Sequence, residues 1–184
     1  MDVLSAFGVS AAAGLNAYLP LLIVGLLARY TDLITLNSPW NALESPWVLG
    51  VLVILLIIEM TVDKIAIADS VNDILQTVVR PAAGAILFAA SGNLIANTSP
   101  VLAMALGIVA AGSIHAVKAT ARPLVTATTG GLGNPVISVI EDVASITLTL
   151  LAILVPILTV VLLLIAVWLV LRWVRRRRAA APSA

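Results

Sequence analysis

The stretch GSIHAVKATARPLVTATTGGLGNP, residues 112–135, holds the chain's one histidine and two of its ten basic residues. It follows PVLAMALGIVAA at 100–111, a run with the composition of a lipid-facing helix. His115, Lys118 and Arg122 stand at i, i+3 and i+7, so a single helical face carries all three. A glycine-rich connector comes next. The side of a membrane on which Lys118 and Arg122 lie decides how many times the chain crosses it.

Composition argues that a membrane is present. The chain has 184 residues, 61% hydrophobic and 10% charged, with mean hydropathy +1.15. Soluble domains carry roughly 25% charged residues. One soluble core of this size could not hide so much apolar surface, whereas a bilayer solvates it. With no cysteine, disulfides, thiolate metal sites and cysteine nucleophiles are excluded. With one histidine, a multi-histidine metal site within one chain is excluded too. No metal and no cofactor are expected. The start MDVLSAFGVSAAAGLNAYLP lacks a basic n-region and does not read as a signal peptide.

A span needs about 20 apolar residues. The first covers 5–28 and contains Gly14, Asn16 and Pro20, which predict a kink or break near GLNAYLP. A polar loop follows, with Trp40 and Trp47 suited to the interface. The second span is WVLGVLVILLIIEM, ending near Val62. TVDKIAIADSVNDILQTVVRP then reads as an interfacial or re-entrant helix: Ile67, Val71, Ile74, Leu75 and Val78 on one side, Asp69, Asp73, Gln76 and Arg80 on the other. A short third span covers 82–96, NTSP at 97–100 turns the chain, and the fourth span runs to about Ala119.

The last apolar stretch, 136–173, would reach roughly 57 Å as one helix, against a hydrocarbon core of about 30 Å. It is either one long helix leaving the membrane or a hairpin turning near Val155 and Pro156. Charge favours the hairpin. The arginine-rich tail should be cytoplasmic. With six spans the N-terminus is cytoplasmic as well, and nine of the ten basic residues fall inside, leaving only Arg29 outside. With five, Lys118 and Arg122 would face outward. The expected fold is therefore an all-α polytopic transmembrane bundle of six spans. It comprises one transmembrane domain, 1–174, and a basic cytoplasmic tail, 175–184. GVSAAAG at 8–14 resembles GIVAAG at 107–112, and ADSVND at 68–73 resembles VISVIED at 136–142. Three spans plus three would make an inverted repeat, a common transporter plan. The alternative is chance recurrence of small-residue strings.

Ionisable residues at membrane depth cost about 2.5–3.5 kcal/mol each on insertion scales, so they persist when paired, hydrated or functional. Three clusters stand out: Glu59, Asp63, Lys64, Asp69, Asp73 and Arg80; His115, Lys118 and Arg122; Glu141 and Asp142. On six spans all lie toward the cytoplasmic half and could meet. Lys118, Arg122 and Arg80 are candidate anion-binding residues, with Asn16 as a candidate unwound substrate site. His115, Glu141, Asp142, Asp73, Asp69, Asp63, Glu59 and Lys64 are candidates for proton coupling or a polar network. Each has a plainer reading. Lys118 and Arg122 could be helix-end cations snorkelling to phosphates, His115 reads more readily as a core histidine with a hydrogen-bond partner, Asn16 could make an interhelical hydrogen bond, and the carboxylates could pair with Arg122 or Arg80. Glu141 and Asp142 are adjacent, so only one can face a given cavity. The backbone amides of GGLGN at 130–134 could approach an anion, although the segment reads more readily as a flexible or re-entrant connector. It matches no nucleotide-binding fingerprint.

GLNAYLPLL, DKIAIADSVNDILQTVVRPAAGA, HAVKATAR and SVIEDV, in that order, resemble the motifs of the bacterial integral-membrane family catalogued as domain of unknown function 4126. The resemblance runs from about Ala6 to Trp173. It departs at the loop after the basic helix, where the family usually carries an NxSPEP-like segment and this chain reads TATTGGLGNP. It implies an α-helical protein of the bacterial inner membrane with these polar residues at its centre. It brings no established activity.

From the charges, the expected function is a small transporter or flippase-like protein. It would move an anionic solute or lipid head group, with proton coupling through Glu141, Asp73 and His115. The alternative is a non-transporting structural or accessory subunit of a larger membrane complex, or a homo-oligomer. No nucleophile–base motif points to an enzyme. Arg175, Arg176, Arg177 and Arg178 read as an anchor on anionic lipid rather than a nucleic-acid site, because they sit directly against a span.

Overall fold

The computed structural model describes the backbone of residues 1–62, 66–91 and 94–179, and of these the side chains except at 66–73, 173–174 and 177–179. These residues form eight α-helices and a 3-10 turn, with no strand among them. In chain order they are α1 (Val3–Ala13), α2 (Tyr18–Tyr30), the turn Trp40–Glu44, α3 (Pro46–Val62), α4 (Ala66–Ala90), α5 (Leu94–Thr98), α6 (Pro100–Thr129), α7 (Asn134–Leu154) and α8 (Pro156–Ala179).

The first apolar stretch breaks where Gly14, Asn16 and Pro20 predict, and becomes α1 and α2. Pro20 lies in the first turn of α2, where its missing N–H leaves no helical bond unmade. A second proline behaves differently. The expected division near Arg80, between an interfacial helix and a span at 82–96, is not found, since α4 runs through Pro81 to Ala90. A proline removes one helical bond and crowds the carbonyl four residues back. Here close packing along α6 holds the helix together. The two backbones meet where Gly84 faces Gly107, and a Cβ on either would collide with the other's backbone. Such small-residue contacts let membrane helices approach closely.

Ser99 caps α6, its Oγ accepting from the Leu102 N–H at 3.4 Å, and Pro100 opens the helix as expected. The connector after α6 is a closed turn. Gly130 ends the helix in the left-handed region at φ 61°, which favours glycine. Gly131 N–H then donates to the Thr126 carbonyl, Leu132 N–H to the Thr129 carbonyl and Asn134 N–H to the Gly131 carbonyl. Gly133 N–H donates to Thr129 Oγ1 at 3.0 Å. These amides are bonded within the turn, which corrects the reading of the segment as an anion cradle or re-entrant loop.

Val155 leaves helical geometry (φ −141°, ψ 69°) and Pro156 starts α8. Leu169, Val170 and Arg172 then share a cleft with Val117 and Val125 in the C-terminal half of α6. Because α6 and α7 join at that same end, α8 runs back along α7. The 136–173 stretch is thus a hairpin, not one long helix.

The polarity of α6 and α7 is inverted relative to helices of a soluble bundle. On α7 the buried stripe is Asn134, Ser138, Asp142, Ser145, Thr149 and Ala152, at helical spacing. Val136, Val139, Ile140, Val143 and Leu150 point outward. On α6 the buried face is Ala103, Gly107, Ala111, His115, Lys118 and Arg122. Both helices are long and apolar enough to cross a membrane, and only 22% of each apolar window is buried. A soluble core helix would bury most of that surface. The two small-residue motifs occupy unlike settings. GVSAAAG ends at the α1–α2 break, whereas GIVAAG lies inside uninterrupted α6, with Gly14 packed on Ala111.

Candidate functional site

The inward face of α6 gathers charged residues into neighbouring groups. At one end Arg80 of α4 is fully buried. Its Nη2 donates to Glu59 Oε1 of α3 at 3.0 Å, with the two side chains 0% and 1% exposed. Its Nη1 lies 3.1 Å from His115 Nδ1, and Thr77 Oγ1 lies 3.1 Å from His115 Nε2. A guanidinium can only donate. His115 Nδ1 must therefore accept, so the proton of the neutral ring sits on Nε2 and points to Thr77. Beside this group Gln76 is buried, and its Oε1 has no hydrogen-bond partner among the described residues.

One turn further along α6, two cations converge on one oxygen. Lys118 Nζ is 2.7 Å from Glu141 Oε2, and Arg122 Nη2 is 2.9 Å from the same atom. Lys118 Nζ also donates to the Leu15 carbonyl at 3.2 Å. Neither cation snorkels. α6 continues to Thr129, and both residues are 5% exposed. Glu141 and Asp142 point apart, as adjacent helical residues must. Asp142 Oδ1 accepts from Asn16 Nδ2 at 2.9 Å.

Asn16 uses both ends of its amide. While Nδ2 reaches Asp142, Oδ1 accepts from the N–H groups of Tyr18 and Leu19, each at 3.0 Å, and so caps α2. Ser145 Oγ of α7 donates to the Ala12 carbonyl at 3.1 Å, near the end of α1. The break between α1 and α2 is thus secured by side chains of α6 and α7. Asn16 makes the interhelical bond of the plainer reading.

Lys118 and Glu141 also line a cavity of about 520 Å³ between α6, α7 and α8. Its walls are apolar, among them Leu148, Leu162, Val167 and Leu171. Lys118, the more enclosed of the pair, has its side chain 3% exposed, against 13% for Glu141.

Of the residues proposed from sequence, Glu59, Arg80, His115, Lys118, Arg122, Glu141, Asp142 and Asn16 come together at the centre of the bundle. His115 is a buried histidine that bonds Arg80 and Thr77, while Glu141 is taken by Lys118 and Arg122. Asp63 and Lys64 lie outside the described residues, and so do the side chains of Asp69, Asp73, Arg177 and Arg178. Thr77, Ser145 and the Leu15 carbonyl were not foreseen. A threonine or serine has ordinary helical uses, and a backbone carbonyl leaves no mark in sequence. Among the described residues no three histidine or carboxylate side chains gather to hold a metal.

A model of the family described as Domain of unknown function (DUF4126) matches residues 3–176, and the chain belongs to that family. No curated protein and no solved structure matches it.

Proposed function

We propose that this member of the family is a six-span plasma-membrane protein with both termini cytoplasmic, and that it moves an anionic solute or lipid head group through the Lys118–Arg122–Glu141 site. The inverted polarity of α6 and α7 supports lipid as the solvent of the bundle. One observation carries the transport reading: the Lys118–Glu141 pair is reachable from a lateral cavity with apolar walls. While charged, Glu141 occupies both cations. A proton taken up by Glu141 weakens both contacts and lets an anionic oxygen from the cavity replace it. Lys118 and Arg122 then bind the anion, and Glu141 carries the coupled proton. Arg80 is held by Glu59 and has no role in binding cargo in this scheme.

The test uses purified protein in phosphatidylcholine vesicles with two probes. One is flipping of a fluorescent phosphatidylglycerol, and the other is uptake of labelled inorganic phosphate. We expect the double variant Lys118→Gln/Arg122→Gln to abolish whichever activity the wild type shows. Glu141→Gln should retain it but lose its pH dependence. Unchanged transport by the double variant overturns the site assignment. Inactivity of the wild type toward both probes favours the second reading, a structural or accessory membrane subunit. That reading draws on the Glu59–Arg80 pair, which is almost wholly enclosed.

A further inference from the structure

The cavity above Lys118 is not isolated. A second, wider cleft of about 1100 Å³ lies between α6 and α8, and the two share Val117, Ala121 and Val170. Together they form one trough along α8. Its apolar part along α8, from Leu162 to Leu171, climbs about 14 Å, while one leaflet of hydrocarbon is about 15 Å deep. The walls of the wider part are apolar, with Leu124, Val125 and Leu169 among them.

The end of the trough is cationic. Arg172 and Arg176 line it. Both also border a smaller hollow of about 350 Å³ beside Trp168. The Arg172 guanidinium stands 5.0 Å from the Trp168 ring centroid, which holds it at the mouth of the trough. Tryptophan and arginine side by side where an apolar run gives way to charge are common at the membrane interface.

We infer that the α6–α8 trough binds one anionic phospholipid, with an acyl chain along Val117, Ala121 and Val170 and its phosphate on Arg172 and Arg176. The match is one of charge and length. A one-leaflet apolar trough ends in two guanidinium groups, and guanidinium pairs with phosphate through two parallel bonds. A helix from a second copy fits less well, because it would bring its own run of arginines, 175–178, against this one. The inference deepens the transport reading by naming a membrane lipid rather than a soluble anion as cargo. It rests on that reading only for the cargo role. Binding itself depends on arginines that the transport site does not use.

Native mass spectrometry of the full chain tests it, after exchange into micelles with equal phosphatidylglycerol and phosphatidylcholine. We expect one retained phosphatidylglycerol per chain, in preference to phosphatidylcholine. A basic residue near anionic lipid is worth about a factor of five, so Arg172→Gln/Arg176→Gln should cut the preference roughly thirty-fold. Ala121→Trp fills the trough and should reduce retention of both lipids. A matching elution profile for each variant establishes that it is folded. Equal retention of the two lipids, or retention unaffected by either variant, overturns the inference. A dimer mass disrupted by Ala121→Trp would overturn it in favour of a second copy. Displacement of the lipid by inorganic phosphate would overturn it in favour of a free-anion site. Lipid retention with no change in transport for Lys118→Gln/Arg122→Gln would sink the transport reading and leave this one standing.

Discussion

His115 stands between a permanent cation and a hydroxyl. Its Nδ1 lone pair is taken by Arg80, so it cannot take up a proton without losing that contact. In the proposed transport scheme this leaves the coupling role to Glu141, a carboxylate that lines the cavity. Arg80 in turn depends on Glu59, and in a setting this dry removing the carboxylate leaves the guanidinium's charge unbalanced. Breaking a buried pair costs about 3–5 kcal/mol, whereas replacing both partners with apolar groups is often near neutral. Glu59→Leu should therefore destabilise the protein by about 3–5 kcal/mol in detergent unfolding, and Glu59→Leu/Arg80→Met should recover most of the loss. A single variant within about 1 kcal/mol of wild type would show that the pair is not structural. The cationic face of α6 was legible because its spacing is local. Which carboxylate answers Lys118 was not, because Glu141 lies on a different helix and only packing brings it near.

Among the elements, the broken first helix has the clearest physical logic. A helix C-terminus carries partial negative charge and an N-terminus partial positive charge. Lys118 sits against the chain leaving α1, through the Leu15 carbonyl, and Asp142 sits behind the cap of α2, through Asn16. Each half-helix end thus faces a charge of the opposite sign. Gly14, Asn16 and Pro20 advertised this break in sequence. Pro81 advertised one too, yet α4 continues, because proline lowers helix stability locally while tertiary packing decides the outcome. Asn16→Ala removes the acceptor for two amides. N-cap losses are typically about 1 kcal/mol, so hydrogen exchange at Tyr18 and Leu19 should speed up about five- to ten-fold, with α6 and α7 little changed. Unaltered exchange at both amides would mean that α2 is held by packing alone.

For the whole molecule, composition argues for a lipid solvent and says less about the path. The excess of apolar residues is turned outward on α6 and α7, with serine, threonine and charge turned in. The hairpin at Val155 was harder to read, because no polar turn marks it and only length and charge argued for it. α6 is longer than a span requires, at about 45 Å against a core of about 30 Å. With Pro100 near one surface, Lys118 and Arg122 then lie close to the other, where the excess of basic residues should be cytoplasmic. The absence of cysteine makes the six-span topology directly testable. Single cysteines can be placed at exposed Leu33, Thr98 and Leu132 and probed in intact cells with a membrane-impermeant maleimide. On six spans, the positions at 33 and 98 react from outside, and the position at 132 reacts only after permeabilisation. A five-span chain with a cytoplasmic tail reverses all three, because each lies before the α7–α8 hairpin and changes side with the N-terminus. External labelling at 132 with protection at 33 and 98 would therefore remove the six-span topology, and with it the assignment of Lys118 and Arg122 to the cytoplasmic half.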